Sequence, residues 1–192
     1  MKLVLATHNS GKIKEFKRAL NPYGIKLLTS SDFNIPEPEE TGQSFHENAL
    51  IKARVTYQHT QLPSLADDSG LEVNALGGRP GVYSADWAGP DKDFDAAMRE
   101  VKDKLTGYDD WSARFTCVLA YVTSDKDHKY YEGQTTGKIV WPPRGKSGFG
   151  YDPCFEPDER QGYSFAELTL EEKQALSHRG RALQEFVNKE LT

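Results

Sequence analysis

The first residues that could do chemistry form a polar stretch near the N-terminus, Thr7-His8-Asn9-Ser10-Gly11-Lys12. It follows an apolar strand candidate, Leu3-Val4-Leu5-Ala6, and precedes an amphipathic helix at about residues 11–20. A turn of this kind presents the backbone N–H groups of a helix N-terminus beside a lysine, which suits a phosphate group. The Walker A pattern is absent, so the alternative is an ordinary strand-to-helix turn.

A second stretch places two carboxylates side by side, at Asp67-Asp68-Ser69-Gly70, after the short apolar strand candidate Ser64-Leu65-Ala66. The C-terminal end of a strand is where open α/β sheets bind ligands. Because neighbouring side chains of an extended chain point to opposite faces, we expect Asp68 to face a cleft and Asp67 to face elsewhere. The alternative is a solvated turn, since Asp, Ser and Gly all favour turns.

Three glutamates, Glu37, Glu39 and Glu40, lie in a polar, proline-bearing segment of residues 30–43. A carboxylate of this loop together with Asp68 would form the hard-oxygen site that Mg²⁺ prefers, with water and phosphate oxygens as its other ligands. Taken alone, the loop is better explained as a solvated acidic surface.

Two stretches nearer the C-terminus could bind a flat, hydrogen-bonding group. Glycines flank an aromatic ring in Ser147-Gly148-Phe149-Gly150-Tyr151-Asp152-Pro153, and Asp152 could accept hydrogen bonds from a base edge. Lys173 precedes Ser177-His178-Arg179-Gly180 at the junction of two helices, where a carbonyl oxygen or a phosphate could bind. Each stretch alone is also compatible with a structural role. The first could be a proline-stiffened turn, and the second a surface His-Arg pair.

Zinc and acyl-transfer chemistry find little support. His46, His59 and His128 do not form an H-E-x-x-H pattern, and no G-x-S-x-G elbow is present. Cys117 and Cys154 lie far apart and outside any C-x-x-C pattern. We therefore expect two reduced thiols that pack in the core.

Composition restricts the classes of partner. The 192 residues carry 24 lysines and arginines against 29 aspartates and glutamates, a formal net charge of -5, with no basic block. Neither nucleic acid nor an anionic membrane is therefore an expected partner. The chain begins directly with a strand and has no long apolar segment, which predicts a soluble cytoplasmic protein. Its length fits one domain.

The pattern along the chain predicts a β-α-β start, with the second strand at residues 25–29 after a break at Asn21-Pro22-Tyr23-Gly24. Capping boxes of the form S/T-x-x-E at residues 44–47 and 169–172 predict two helix starts. Further predicted elements are a helix at 93–105, an antiparallel hairpin of strands at 113–123 and 130–140, a long loop at 141–150 and a terminal helix. The fold is therefore α/β or α+β, with helices on a mixed sheet.

Together these stretches resemble the inosine triphosphate pyrophosphatase family, in its bacterial form. The resemblance spans nearly the whole chain, and the matching stretches occur in the family's order. They are residues 6–12, 40–42, 45–53, 66–71, 76–85, 148–153 and 166–180. His8 departs from the family pattern, because a glycine is common at its position.

The resemblance implies one domain, residues 1–192, with a two-lobed α/β fold around a long mixed sheet and an active-site cleft between the lobes. It also implies a homodimer that hydrolyses the purine nucleoside triphosphates ITP, dITP and XTP to the monophosphate and pyrophosphate, with Mg²⁺ as cofactor. The alternatives are a Maf-like nucleotide pyrophosphatase of other specificity, a purine nucleotide sensor without turnover, and a nucleic-acid-binding module.

The resemblance further implies roles for individual residues. Asp68 and Lys12 would act in catalysis, and Asp68 with Glu40 or Glu39 would bind the metal. The remaining substrate contacts would come from Thr7, His8, Asn9, Ser10, Gly11, Lys52 and Ser69 for the triphosphate. For the base they would come from Phe149, Gly150, Tyr151, Asp152, Lys173, His178 and Arg179.

Overall fold

The computed structural model describes residues 1–192 and contains one six-stranded sheet in the order β2-β1-β3-β4-β5-β6. The strands are β1 Lys2–Leu5, β2 Lys26–Thr29, β3 Ser64–Val73, β4 Ser112–Val122, β5 His128–Ile139 and β6 Phe155–Pro157. Five α-helices accompany them, α1 Ser10–Leu20, α2 Phe45–Thr60, α3 Phe94–Lys104, α4 Leu170–Leu176 and α5 His178–Glu190.

The sheet is mixed, as the sequence predicts. β1 pairs in parallel with β2 and with β3, so the chain begins with the expected β-α-β unit. β5 and β6 pair antiparallel, while β4 and β5 are neighbours joined by the short turn of residues 123–127. Such a short connection permits only antiparallel strands, which agrees with the predicted hairpin.

Side-chain caps set the starts of the helices. The Ser44 hydroxyl accepts from the N–H of Glu47 at the start of α2, and Thr169 and Glu172 form a complete capping box at the start of α4. Both starts are those that the sequence predicts, because capping depends on residues only three positions apart. Asn9 caps α1 in the same way.

One sequence prediction about the sheet is wrong. The sequence places Asp67–Gly70 at the C-terminal end of a short strand, but the structure has it in the middle of β3, which lies between β1 and β4. Its backbone groups can pair in the sheet, and this outweighs the turn preference of Asp, Ser and Gly. Gly70 is required here because a Cβ at that position would overlap the carbonyl oxygen of Gly81.

The chain divides into two compact units. The first comprises residues 1–68, 117–133 and 179–192, and the second comprises residues 69–116 and 134–178. The strands β3, β4 and β5 each contribute residues to both units. Each unit has its own hydrophobic core. In the first, Phe16 and Phe186 pack with Leu3 and Leu65, and in the second Phe155 and Phe165 pack with Val101.

Both cysteines are buried and free, as predicted for packing thiols. Burial raises the pKa of Cys154 to about 12, so this thiol is not a nucleophile at neutral pH. None of the helices combines the length and the hydrophobicity that a membrane span requires.

Candidate active site

The loop before α1 is held by its own side chains. The Asn9 side-chain oxygen accepts from the N–H groups of Gly11 and Lys12, at 2.9 and 3.1 Å, and Thr7 Oγ1 accepts from the N–H of Asn9. The sequence suggests that such N–H groups hold a phosphate, and in the structure those of Gly11 and Lys12 donate to the Asn9 cap. Ser10 is exposed in the first turn.

The His8 imidazole is bonded at both ring nitrogens. It lies 3.0 Å from the carbonyl oxygen of Ile35 and 3.1 Å from the Ser31 hydroxyl. These bonds tie the loop before α1 to the segment that follows β2. His8 therefore has a structural contact that the glycine common at this position could not make.

On the first unit, the buried carboxylate of Asp67 forms ion pairs with two cationic side chains. Oδ2 of Asp67 lies 3.0 Å from the Lys12 ammonium and accepts from Nε and Nη2 of Arg179, at 3.1 and 3.0 Å. The other side of the Arg179 guanidinium donates to Glu15 Oε2 at 2.6 Å. Sequence analysis assigned Arg179 to the base, but the structure places it with Asp67 and Glu15.

The charges in this group stabilise one another. Burial opposes ionisation of Asp67, but Lys12 and Arg179 outweigh it and hold the pKa of the carboxyl below its ordinary value. Burial likewise opposes the charge of Arg179, but Asp67 and Glu15 raise the guanidinium pKa above its ordinary value. Asp67 and Arg179 are therefore both ionised at neutral pH.

The neighbouring carboxylate, Asp68, has different partners, as the alternation of an extended strand requires. Lys52, on α2, donates to Asp68 Oδ1 at 3.0 Å and to Glu40 Oε1 at 2.7 Å. Glu39 is exposed. Of the two glutamates left open by the sequence, Glu40 is thus the one that shares Lys52 with Asp68.

Burial raises the pKa of Asp68 to about 6, with Glu40 adding to the shift and Lys52 opposing it. Burial also opposes the charge of Lys52, but the two carboxylates raise the pKa of its ammonium above the ordinary value. Asp68 can therefore exchange a proton near neutral pH, a property typical of general bases.

The donor set around Asp68 fits a hard divalent cation. Asp68 Oδ2 is buried and has no hydrogen-bond partner, and the Glu40 carboxylate contacts the same Lys52 ammonium as Asp68. No group of three or more His, Cys, Asp or Glu side chains could hold a metal ion by itself. Two carboxylates suit an ion that takes its remaining ligands from water and phosphate oxygens.

A second polar group lies on the second unit. Asp152 Oδ2 accepts from the Lys173 ammonium at 2.7 Å and from the N–H of Phe149 at 2.8 Å, and Asp152 and Lys173 are almost completely buried. Gly148 has a φ of 76°, and a Cβ there would overlap Asp152 Oδ2. The glycine thus allows the loop to approach the carboxylate closely.

Aromatic rings surround the Lys173 ammonium, which lies 4.7 Å from the centre of the half-buried Phe149 ring. The His178 ring is buried and stacks on Phe115 at 4.6 Å. Thr135 donates to the carbonyl oxygen of Leu176, at the end of α4. The second unit therefore brings together the predicted residues Phe149, Asp152 and Lys173, whereas His178 contacts Phe115.

Another predicted base contact, Tyr151, packs in the hydrophobic core of the second unit. Tyr151 is buried against Phe94, and its hydroxyl donates to the carbonyl oxygen of Ser84 at 2.8 Å. Gly150 lies in the turn before it, with a φ of 67°. Ser69 is half-buried in β3, where it is the first residue of the second unit.

Sequence reasoning missed Asp67 and Glu15 as members of the site. The sequence contains a signal for each of them. Glu15 lies one helical turn after Lys12 on an amphipathic helix, so the two side chains share a helix face, and Glu15 is buried. Asp67 is adjacent to Asp68, and a buried acid in a central strand needs a cationic partner.

Known proteins resemble this chain over nearly its full length. The model of the Ham1 family matches residues 3–189. A dITP/XTP pyrophosphatase from Gluconobacter oxydans is 46% identical over 97% of this chain and 89% of its own length. Another from Brucella melitensis is 45% identical over 99% of this chain and 93% of its own.

A solved structure agrees. The HAM1 protein from Coxiella burnetii superimposes with a TM-score of 0.89 at 41% identity, covering 98% of this chain and 97% of that protein. The family resemblance and the α/β fold predicted from the sequence are thereby confirmed. This chain belongs to the Ham1 family.

Proposed function

We propose that the protein hydrolyses the non-standard purine nucleoside triphosphates ITP, dITP and XTP to the monophosphate and pyrophosphate. The names of its relatives support this activity. The observation that carries the proposal is Asp68, a buried carboxylate whose pKa is raised to about 6 and whose Oδ2 has no hydrogen-bond partner. Such a group can accept a proton from water.

In the proposed reaction, Asp68 takes a proton from a water molecule that attacks the α-phosphorus. The new bond joins the water oxygen to that phosphorus, and the bond to the bridging oxygen of the pyrophosphate breaks. Lys52 fixes the Asp68 carboxylate through Oδ1 and leaves Oδ2 for the water proton. No covalent nucleophile is needed, since such reactions depend on positioning and charge stabilisation.

Two lysines of the first unit supply positive charge for the triphosphate. Lys12 extends from the first turn of α1 and is paired with Asp67, and its side chain is 16% exposed. Lys52 is deeply buried between its two carboxylates. We assign Lys12 to the departing pyrophosphate, whose negative charge grows as the anhydride bond breaks.

The cofactor we propose is Mg²⁺, which Asp68 and Glu40 would hold. When bound, it neutralises charge on the phosphate oxygens and on the leaving group. The hard oxygen donors of these two carboxylates support this choice over a softer metal.

We assign the base to the second unit. Phe149 offers a ring for stacking, and Asp152 is held by two donors close to it. Lys173 and His178 would donate to the 6-oxo group of hypoxanthine or xanthine. Adenine carries an amino group at that position, so a donor would face a donor, which can reject the wrong base by about 10⁴-fold or more.

The remaining expectations from the resemblance are also proposals. We propose a homodimer, which sedimentation equilibrium would establish. We expect the enzyme to act in the cytoplasm, where nucleoside triphosphates serve nucleic-acid synthesis.

The decisive experiment incubates the protein and Mg²⁺ with ITP, XTP, dITP, GTP, ATP, TTP and UTP, and assays pyrophosphate and orthophosphate separately. We expect pyrophosphate from ITP, dITP and XTP. Orthophosphate as the first product would exclude attack at the α-phosphorus, and turnover of pyrimidine nucleotides alone would indicate a Maf-like specificity.

A further inference from the structure

Four charged side chains form one ion-paired group on the first unit, and the proposed reaction uses only one of them. Lys12 and Arg179 carry the positive charges, and Asp67 and Glu15 carry the negative ones. The charges sum to zero. Charge balance of this kind is what allows ionised groups to remain buried, since an unpaired buried charge is strongly destabilising.

The group is asymmetric in its exposure. The side chains of Asp67, Arg179 and Glu15 are 0%, 3% and 7% exposed, whereas that of Lys12 is 16% exposed. Lys12 is therefore the member that reaches furthest towards solvent, and the other three lie behind it. A phosphate would meet the Lys12 ammonium before any other charge of the group.

A single oxygen atom determines where the Lys12 ammonium lies. Oδ2 of Asp67 accepts from Lys12 and from two nitrogen atoms of Arg179, all within 3.1 Å. Arg179 cannot turn away without also breaking its bond to Glu15. A lysine side chain alone has four flexible torsions, so this arrangement removes freedom that a solvated lysine would keep.

We propose that Asp67 is a positioning residue, which holds the Lys12 ammonium in place for the departing pyrophosphate while Arg179 and Glu15 fix the Asp67 carboxylate. The inference rests on the proposed function. Asp67 does not touch the substrate in this scheme. Its effect on turnover passes through Lys12, because a lysine that is fixed beforehand need not be ordered during the reaction.

A double-mutant cycle tests this role, with Asp67→Asn, Lys12→Met and the combined variant compared with the wild type. Release of pyrophosphate from dITP gives kcat and KM for each. We expect Asp67→Asn to lower kcat by about tenfold or more, with a smaller change in KM. In the Lys12→Met background the same substitution should change kcat by less than about twofold, because the residue through which it acts is gone.

The same four proteins are compared by their thermal unfolding midpoints, a measurement that does not depend on enzyme activity. Asp67→Asn leaves a surplus of positive charge, and Lys12→Met removes that surplus, so the combined variant should unfold at a higher temperature than Asp67→Asn alone. Glu72→Gln is the matched control. Glu72 also lies on β3 and pairs with an arginine, Arg114, at 2.8 Å. We expect Glu72→Gln to leave kcat unchanged.

The outcomes separate this inference from the proposed function. A wild-type protein that releases no pyrophosphate from any purine nucleotide would overturn both. With an active wild type, equal losses of kcat from Asp67→Asn in the two backgrounds would overturn the positioning role alone. So would a loss of kcat in Glu72→Gln as large as that in Asp67→Asn, since another ion-paired carboxylate of the strand would then have the same effect.

Discussion

The Lys52 ammonium lies 3.0 Å from Asp68 Oδ1, and both side chains are more than nine-tenths buried. The pair joins a helix, α2, to a central strand, β3, and Glu40 completes it from a loop. Burial favours the protonated, neutral form of Asp68, and the positive charge of Lys52 opposes this effect. Asp68 thus stays close to the balance point between its two protonation states.

The first prediction concerns Asp68 itself. Asp68→Asn keeps the shape of the side chain but cannot accept a proton from water. We expect pyrophosphate release to fall by about 10²- to 10⁴-fold, the usual contribution of a general base, while nucleotide binding is largely retained. Steady-state kinetics and calorimetric titration with ITP measure the two quantities. Unchanged turnover would remove Asp68 from the mechanism.

The second prediction concerns pH. A base with a pKa of about 6 is protonated and inactive below that pH and ionised above it. We therefore expect kcat/KM for ITP to rise as the pH increases through about 6 and then to level off. Glu40 contributes to the raised pKa, so Glu40→Gln should shift this rise to lower pH whatever its effect on the maximum rate. A profile that falls through the same range would contradict the assignment.

The third prediction concerns stability. Lys52→Met removes the cation from the two carboxylates, and breaking a buried ion pair costs about 3–5 kcal/mol of unfolding free energy. Denaturant unfolding at neutral pH in the presence of a chelator measures it. Lys102→Met is the control, because Lys102 and Asp103 form an exposed pair, and such pairs contribute about 0–1 kcal/mol. Equal losses of unfolding free energy in the two variants would mean that the buried Lys52 contacts stabilise the fold no more than an exposed ion pair does.

The fourth prediction concerns the base. Phe149→Ala removes the ring that we assign to stacking, a contact that contributes about 1–3 kcal/mol per base. We expect KM for ITP to rise correspondingly, by about 5- to 150-fold, with a smaller effect on kcat.

Tyr163→Ala serves as the control for Phe149, since Tyr163 is an exposed aromatic residue of the same unit. It should leave KM unchanged. If Phe149→Ala also leaves KM unchanged, the ring is not a base platform.

Local features of the fold were predictable from the sequence because they depend on short-range patterns. The capped starts of α2 and α4 follow from residues three positions apart, and the β-α-β start follows from hydrophobic periodicity. The path of β3 through Asp67–Gly70 did not follow, because these residues continue a ten-residue strand of the sheet in spite of their turn preference.

The sequence by itself determined the kinds of residue available for chemistry and the family to which their order belongs. It determined that Asp67 and Asp68 point in different directions, since an extended chain alternates. The tertiary structure decided which partners each one meets. Arg179 lies 112 residues from Asp67 along the chain, and a motif that is read locally grouped it with His178 instead. Partners so distant become visible only once folding has brought their charges together, because buried charges are stable only in pairs.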